Sequence, residues 1–289
     1  MLFVLPALLV YAVFVVIPVI QAVYYSGFKW NGLKPLTDFV GLANYERALS
    51  DPVFHSAIAH NVFFVTLSLV IQIPFALSLA LMLNGRFRGR ALFRLIFFAP
   101  YVLSEVITAA IFQLLLMPDS LVDQAMAGAG LGAFTQLWLA DRSIVLITLF
   151  VVISWKYFGF HMILLLAGLQ GIPRELEEAA AIDGASRRQA IRYVVLPLLG
   201  PTLRVSVFLS IIGALQLFDL IWVTTGGGPA NASNTMATYL FDWGFRRFQL
   251  GYGSAVAVIL FGVSFLIALA YQRFVLRRDT EGAITTAGG

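Results

Sequence analysis

Six stretches of this chain are long and apolar enough to cross a bilayer, and this limits the fold more than any motif does. A helix rising 1.5 Å per residue needs ~20 mainly apolar residues to span ~30 Å of hydrocarbon. Such windows fall at residues 2–25, 61–83, 92–116, 143–169, 203–223 and 252–276 of the 289. Lipid cannot satisfy exposed backbone groups, so each window reads as a helix. The expected class is all-α, a polytopic membrane protein with six transmembrane helices. Composition agrees, because 12% of the residues are charged against about 25% in a soluble globule. A cleaved signal peptide is the alternative for the first window. Its apolar run exceeds a usual h-region and no charged segment precedes it, so a retained span is expected.

Six spans place both termini on one side, and Lys and Arg show which side that is. Twelve cations fall on the face holding the termini: Arg86, Arg88, Arg90, Arg94, Arg174, Arg187, Arg188, Arg192, Arg204, Arg273, Arg277 and Arg278. Six fall opposite: Lys29, Lys34, Arg47, Arg142, Arg246 and Arg247. Cations are retained in the cytoplasm during insertion, so both termini are expected there. Residues 1–278 then form one membrane domain, and 279–289 a short, polar, disordered cytoplasmic tail. The connections at 26–60, 117–142 and 224–251 lie outside.

Several chemistries are excluded early. The chain has no cysteine, which removes disulfides, thiolate metal sites and cysteine nucleophiles. A net charge of +4 gives nucleic acid no purchase. His55, His60 and His161 form neither a zinc signature nor a triad with a serine, so no metal site and no catalytic residue is expected, and the chain is not read as an enzyme. The three lysines, Lys29, Lys34 and Lys156, stand in no G-x-x-x-x-G-K-[ST] setting, so the chain is expected to bind no nucleotide cofactor. The glycines at 226–228 precede Pro229 in an outside loop and read as a flexible turn.

The cytoplasmic segment EEAAAIDGASRRQAIRYVVLPLLGP at 177–201 is unusually charged for its surroundings. Pro173 suits a first helical turn, and Glu175, Glu177 and Glu178 follow near the positive end of the dipole. Asp183 and Gly184 stop that helix, and Ser186 with Gln189 matches a capping box for a second one at the membrane surface. Pro197 and Pro201 mark passage toward the fifth span. On these signals alone, an amphipathic pair resting in the interface is an equal alternative to a docking element.

The order E-A-A, D-G-A, L-P in this segment resembles the EAA loop of permease subunits in bacterial ATP-binding-cassette importers. The residues are Glu178, Ala179, Ala180, Asp183, Gly184, Ala185, Leu196 and Pro197, in a loop spanning about 173–197. Ile191 stands where that family usually has Phe. FVGLANYERAL at 39–49, FRLIFFAPYVLSEV at 93–106, LAGLQGIPRELEEAA at 166–180, FDLIWVTTGGGP at 218–229 and LGYGSAVAV at 250–258 resemble the carbohydrate branch, of maltose and glycerol-phosphate type. The resemblance implies the type I importer permease fold in a bacterial inner membrane. It also implies import of a sugar, polyol or oligosaccharide, with the EAA loop docked on an ATPase. Implied partners are a second permease chain, two ATPase subunits that use ATP with Mg, and an extracytoplasmic solute-binding protein.

Charges inside spans point to a path. Glu105, Lys156 and Asp219 sit within the third, fourth and fifth windows, where a charge is costly unless it faces a cavity or partner. Counting straight helix places all three, with Gln216, ~20–24 Å from the cytoplasmic boundary. With Tyr101, Tyr157, Phe160, Ser210 and Trp222 they are expected to line a translocation path, hydroxyls bonding to polar groups and sugar faces packing on rings. A Glu105–Lys156 ion pair that only joins helices is the equal alternative. An ion-coupled secondary transporter would use the same acids without an ATPase.

Overall fold

The computed structural model describes residues 2–85 and 87–276. The expected tail at 279–289, and Arg86, Arg277 and Arg278 of the charge asymmetry, lie outside the described residues. The chain is all-α. Spans one and two are α1 (Leu5–Ser26) and α3 (Pro52–Leu83), with a short outer helix α2 (Ala43–Ser50) between them. The third window is a pair, α4 (Arg90–Val102) and α5 (Glu105–Leu115). After α6 (Leu121–Gly128) come span four, α7 (Val145–Gln170), the short α8 (Arg174–Ile182) and span five, α9 (Arg187–Leu215). Two short helices, α10 (Asp219–Thr225) and α11 (Met236–Phe241), lead to span six, α12 (Leu250–Leu276).

Where the observed spans depart from the apolar windows, local chemistry explains it. α3 begins at Pro52 and not 61, because the Asp51 carboxylate accepts the Val53 N–H at 2.7 Å and Pro52 suits the first helical position. The third window is not one helix, since α4 and α5 are bent by 95°. Ser104, extended, starts α5 anew by accepting the Ile107 N–H at 3.1 Å. The fifth span starts at Arg187, so the second expected surface helix is its opening turns and not a separate element, and it stops at Leu215 before a break at 216–218.

Three prolines remain inside these spans through a recurring device. Wide π turns at Ala12–Val16, Ser68–Gln72 and Ile191–Val195 are each followed two residues later by Pro18, Pro74 and Pro197. In each case the residue before the proline bonds five residues back: Ile17 to Ala12, Ile73 to Ser68, Leu196 to Ile191. A proline ring would otherwise meet the carbonyl four residues earlier and cost about 3 kcal/mol. The wide turn moves that carbonyl aside, and the helix continues.

α7 is the centre of the bundle. It packs against α3, α4 and α9, and 56% of its most apolar window is buried, against none of α1. At Gly159 a Cβ would stand 1.9 Å from the Phe97 carbonyl oxygen, so only glycine allows α4 to lie this close. Toward the outside, Asn61 of α3 is fully buried. Its amide donates to the carbonyls of Ala214 (2.7 Å) and Leu215 (3.3 Å) and accepts the Met236 N–H at 2.9 Å. One side chain thus joins α3, the end of α9 and the start of α11.

The segment 217–252 is a packed cap. The Thr235 hydroxyl donates to the Leu217 carbonyl at 2.7 Å, and Tyr239 donates to the Asp51 carboxylate at 2.6 Å while meeting the Tyr252 hydroxyl at 2.7 Å. Burial, reinforced by that carboxylate, raises the Tyr239 phenol above its ordinary pKa. The turn expected at 226–228 is present, and hydrogen bonds tie it to Ser233. Gly226 and Gly227 have φ of 60° and 85°, and Ser233 closes the loop with its N–H on the Gly227 carbonyl (3.2 Å) and its hydroxyl on that of Gly228 (2.5 Å).

Candidate functional site

The two breaks in the spans meet in the middle of the molecule. Glu105 is the first residue of α5 and Asp219 the first of α10, and these two short helices pack on each other. A carboxylate in the opening turn faces the partial positive charge of the helix start, which lowers the cost of keeping it in a membrane protein. The straight-helix depth count therefore fails for these acids, yet they do share one place. Both line a cavity of 370 Å³.

Seven of the nine expected path residues line this cavity: Tyr101, Glu105, Tyr157, Phe160, Ser210, Gln216 and Asp219. The Tyr157 hydroxyl donates to Glu105. Tyr101 stacks on Phe160 with centroids 4.8 Å apart and planes 23° apart, a paired ring surface beside the carboxylates. Trp222 lies apart from the lining, stacked on Phe218 at 5.9 Å, edge-on to Phe241 at 4.7 Å and under the Arg246 cation at 5.5 Å.

Lys156 has a different task from the expected ion pair. It is 3% exposed on α7, and its ammonium donates to the Leu103 carbonyl at 2.5 Å. Leu103 follows the last turn of α4, where carbonyls lack intrahelical partners and the dipole favours a cation. The lysine therefore caps the break while Glu105 takes the tyrosine hydroxyl. Among the described residues no Glu105–Lys156 ion pair forms. Lys156 lines a neighbouring hollow of 530 Å³ that also touches Tyr101, Glu105 and Tyr157.

Three polar lining residues escaped the sequence reading. Ser68 and Gln72, both buried in the π turn of α3, are joined hydroxyl to amide oxygen at 3.1 Å. Their signal was a polar pair four apart in an otherwise apolar window. His161 is buried and lies 2.9 Å from the Ser206 hydroxyl while also lining the cavity.

The second candidate region is the corner between α8 and α9. Glu178, Ala179 and Ala180 lie on α8, and Asp183 is its C-terminal cap. Gly184 adopts φ +83°, and the N–H groups of Gly184 and Ala185 bond to the carbonyls of Ala181 (3.1 Å) and Ala180 (2.9 Å). The Ser186–Gln189 capping box is present, with the Ser186 N–H donating to the Gln189 side chain at 2.8 Å. Leu196 and Pro197 follow the wide turn on α9. Pro173 sits just before α8, not within it. α8 buries none of its residues, and Ile182 at its tip is 86% exposed. Arg174, Glu177, Glu178 and Arg187 edge a 280 Å³ hollow against the end of α3.

Six crossings, two of them interrupted beside acids that share a central cavity, describe a polytopic membrane transport protein. The chain belongs to the family of binding-protein-dependent transport system inner membrane components, whose profile matches residues 72–279. It is a permease subunit of the ATP-binding-cassette class and not an enzyme. It is 34% identical to the trehalose/maltose transport system permease protein MalF of Thermococcus litoralis, covering 96% of this chain and 94% of that one. It is 32% identical to the lactose transport system permease protein LacF of Rhizobium radiobacter, over 97% and 94% of the two chains. Its fold matches a chain of a bacterial ABC transporter involved in the import of the acidic polysaccharide alginate, with a TM-score of 0.84, 24% identity and coverage of 96% and 94%.

Proposed function

We propose that this chain forms half of the translocation path of an ATP-driven, binding-protein-dependent sugar importer of a bacterial inner membrane. Relatives that span nearly its whole length are permeases for lactose and for trehalose or maltose, which supports a sugar, polyol or oligosaccharide as cargo. The observation that carries the path is the convergence of Glu105 and Asp219, each opening a half-helix, on one cavity floored by the Tyr101–Phe160 stack. Carboxylates accept hydroxyl protons, and rings pack against the apolar face of a sugar. Family membership disfavours the ion-coupled carrier.

In this reading a second permease chain completes the path, a solute-binding protein delivers the cargo outside, and two ATPase subunits inside consume ATP with Mg. Both termini are cytoplasmic, and the corner at 173–186 is what the ATPase grips. A partner biases an equilibrium between inward- and outward-open states only by binding one of them more tightly. The exposed corner continues directly into α9, and α8 follows α7, so a push there reaches the helices that border the cavity. The path is tested by Glu105→Ala and Asp219→Ala in the full complex. Binding-protein-dependent uptake drops while insertion and ATPase assembly persist; unchanged uptake and cargo preference in both variants defeats this assignment.

A further inference from the structure

We propose that a hollow at the outer ends of spans one and six holds the phosphate of an anionic phospholipid headgroup. This inference does not depend on the cargo or on the central cavity. The hollow has a volume of 630 Å³ and is lined by Lys29, Lys34 and Arg47, with Trp30 and Tyr252 as its aromatic walls. Asp38 is the acid among its lining residues, so the local balance is positive. Two of the chain's three lysines stand here, and among the described residues neither enters an ion pair.

The pocket is built in advance. The Asn44 amide donates to the carbonyls of Ser26 (2.8 Å) and Phe28 (3.0 Å), holding the segment that leaves α1. The Gly251 N–H donates to the Trp30 carbonyl at 2.9 Å, and the Trp30 indole donates to the Lys34 carbonyl at 2.7 Å. This chain of bonds ties the lysine-bearing loop to the first turn of α12. Arg47 is oriented by the Gln249 amide oxygen at 2.7 Å and lies over the Tyr252 and Trp243 rings at 4.2 and 4.5 Å. Three cations are thus presented on a framework that pays little ordering entropy when an anion arrives.

Position selects a lipid over other anions. The loop departs from Ser26 at the end of α1 and returns to Gly251 at the start of α12, and these two spans pack together. The hollow therefore sits where two helices leave the hydrocarbon, at the level marked by Tyr24, Tyr25, Phe28 and Trp30. Directly below, Ile20, Val23 and Tyr24 are exposed along α1, an apolar flank for acyl chains. A basic pocket between transmembrane helices at headgroup depth suits a phosphodiester, which offers oxygens to the cations and tails to that flank.

The test uses the intact complex in nanodiscs of phosphatidylglycerol or phosphatidylcholine, with retained lipid counted by native mass spectrometry after partial delipidation. The wild-type complex keeps phosphatidylglycerol in preference to phosphatidylcholine. Lys29→Gln with Lys34→Gln lowers that retention by roughly tenfold or more, and Lys29→Arg with Lys34→Arg preserves it. An unchanged thermal profile of the Gln variant shows the fold intact; should that variant not assemble, Lys34→Gln alone, with a partial loss of retention, serves in its place. Equal retention of the two lipids, or no loss in the Gln variant, overturns the proposal. So does displacement of the lipid by inorganic phosphate at matched concentration, which marks a soluble-anion site. Loss of solute-binding-protein docking with unaltered lipid retention marks a protein contact and overturns it equally.

Discussion

The corner at α8 and the cap at 217–252 are both short helices joined by glycine turns, yet they are built in opposite ways. The corner, α8 through Gly184 to Ser186, satisfies its backbone locally and buries nothing on α8. The cap buries Ser233, Thr235, Thr238 and Tyr239 and spends its hydrogen bonds on distant partners, among them Asn61, Leu217 and Asp51. The glycines follow suit. Gly184 has open space where a Cβ would go, whereas a Cβ on Gly227 would stand 1.8 Å from the Asn234 side-chain oxygen. The cap is closed on its own protein, and the corner stands shaped but exposed.

That contrast can be broken by asking which readout each region controls. Gly184→Asp should have the largest effect, adding both backbone strain at φ +83° and a charge at the corner. If the corner carries a coupling free energy of ordinary size, uptake falls roughly 5- to 150-fold with little change in thermal stability. Normal ATP-driven uptake by a correctly inserted variant contradicts it. Asn61→Leu should do the reverse, stranding the Met236 N–H and two carbonyls and lowering stability by about 2 kcal/mol in a detergent melt. A variant that melts like the wild type would mean the cap is held by packing alone.

Smaller substitutions sharpen the comparison. Ser186→Ala removes a local cap worth about 1 kcal/mol, so exchange of the Arg187–Gln189 amides should quicken while the melt stays near wild type. Asp141, in the outer loop before α7, is held below the usual carboxylate range by the Ser143 hydroxyl and then by the Ser143 N–H. A lowered carboxyl stabilises above the unfolded pKa and loses that contribution as pH falls. The melting difference between wild type and Asp141→Asn should thus be small at neutral pH and close below about pH 4. A difference that widens in acid reverses the sign.

The corner was legible because its signals are short-range: a glycine after Asp183, and a serine three residues before a glutamine. The cap was not, because polar residues at 231–238 resemble a solvated loop until Asn61 and Leu217, far away in sequence, meet them. Apolar counting found all six crossings but passed over Ser104 followed by Glu105, a helix start inside the third window. Having missed that break, it could not assign Lys156 to the freed Leu103 carbonyl. The acids do share a cavity, but by a route the counting did not foresee, since each opens a helix after a break and neither stands partway along a straight run. Trp222 shows the limit of residue type as a guide, because its ring is already occupied by Phe218, Phe241 and Arg246.

The wide turn at Ile191–Val195 lies between the corner and the membrane body of α9. It holds one residue more than an α-turn would, and one residue is ~100° of azimuth in a helix of 3.6 per turn. Pro197, which the wide turn accommodates, therefore helps to fix the angular phase between α8 and the part of α9 that borders the cavity. Were this turn to close into plain α geometry with its residue count unchanged, the shaft would stay intact and its handle would face the wrong way.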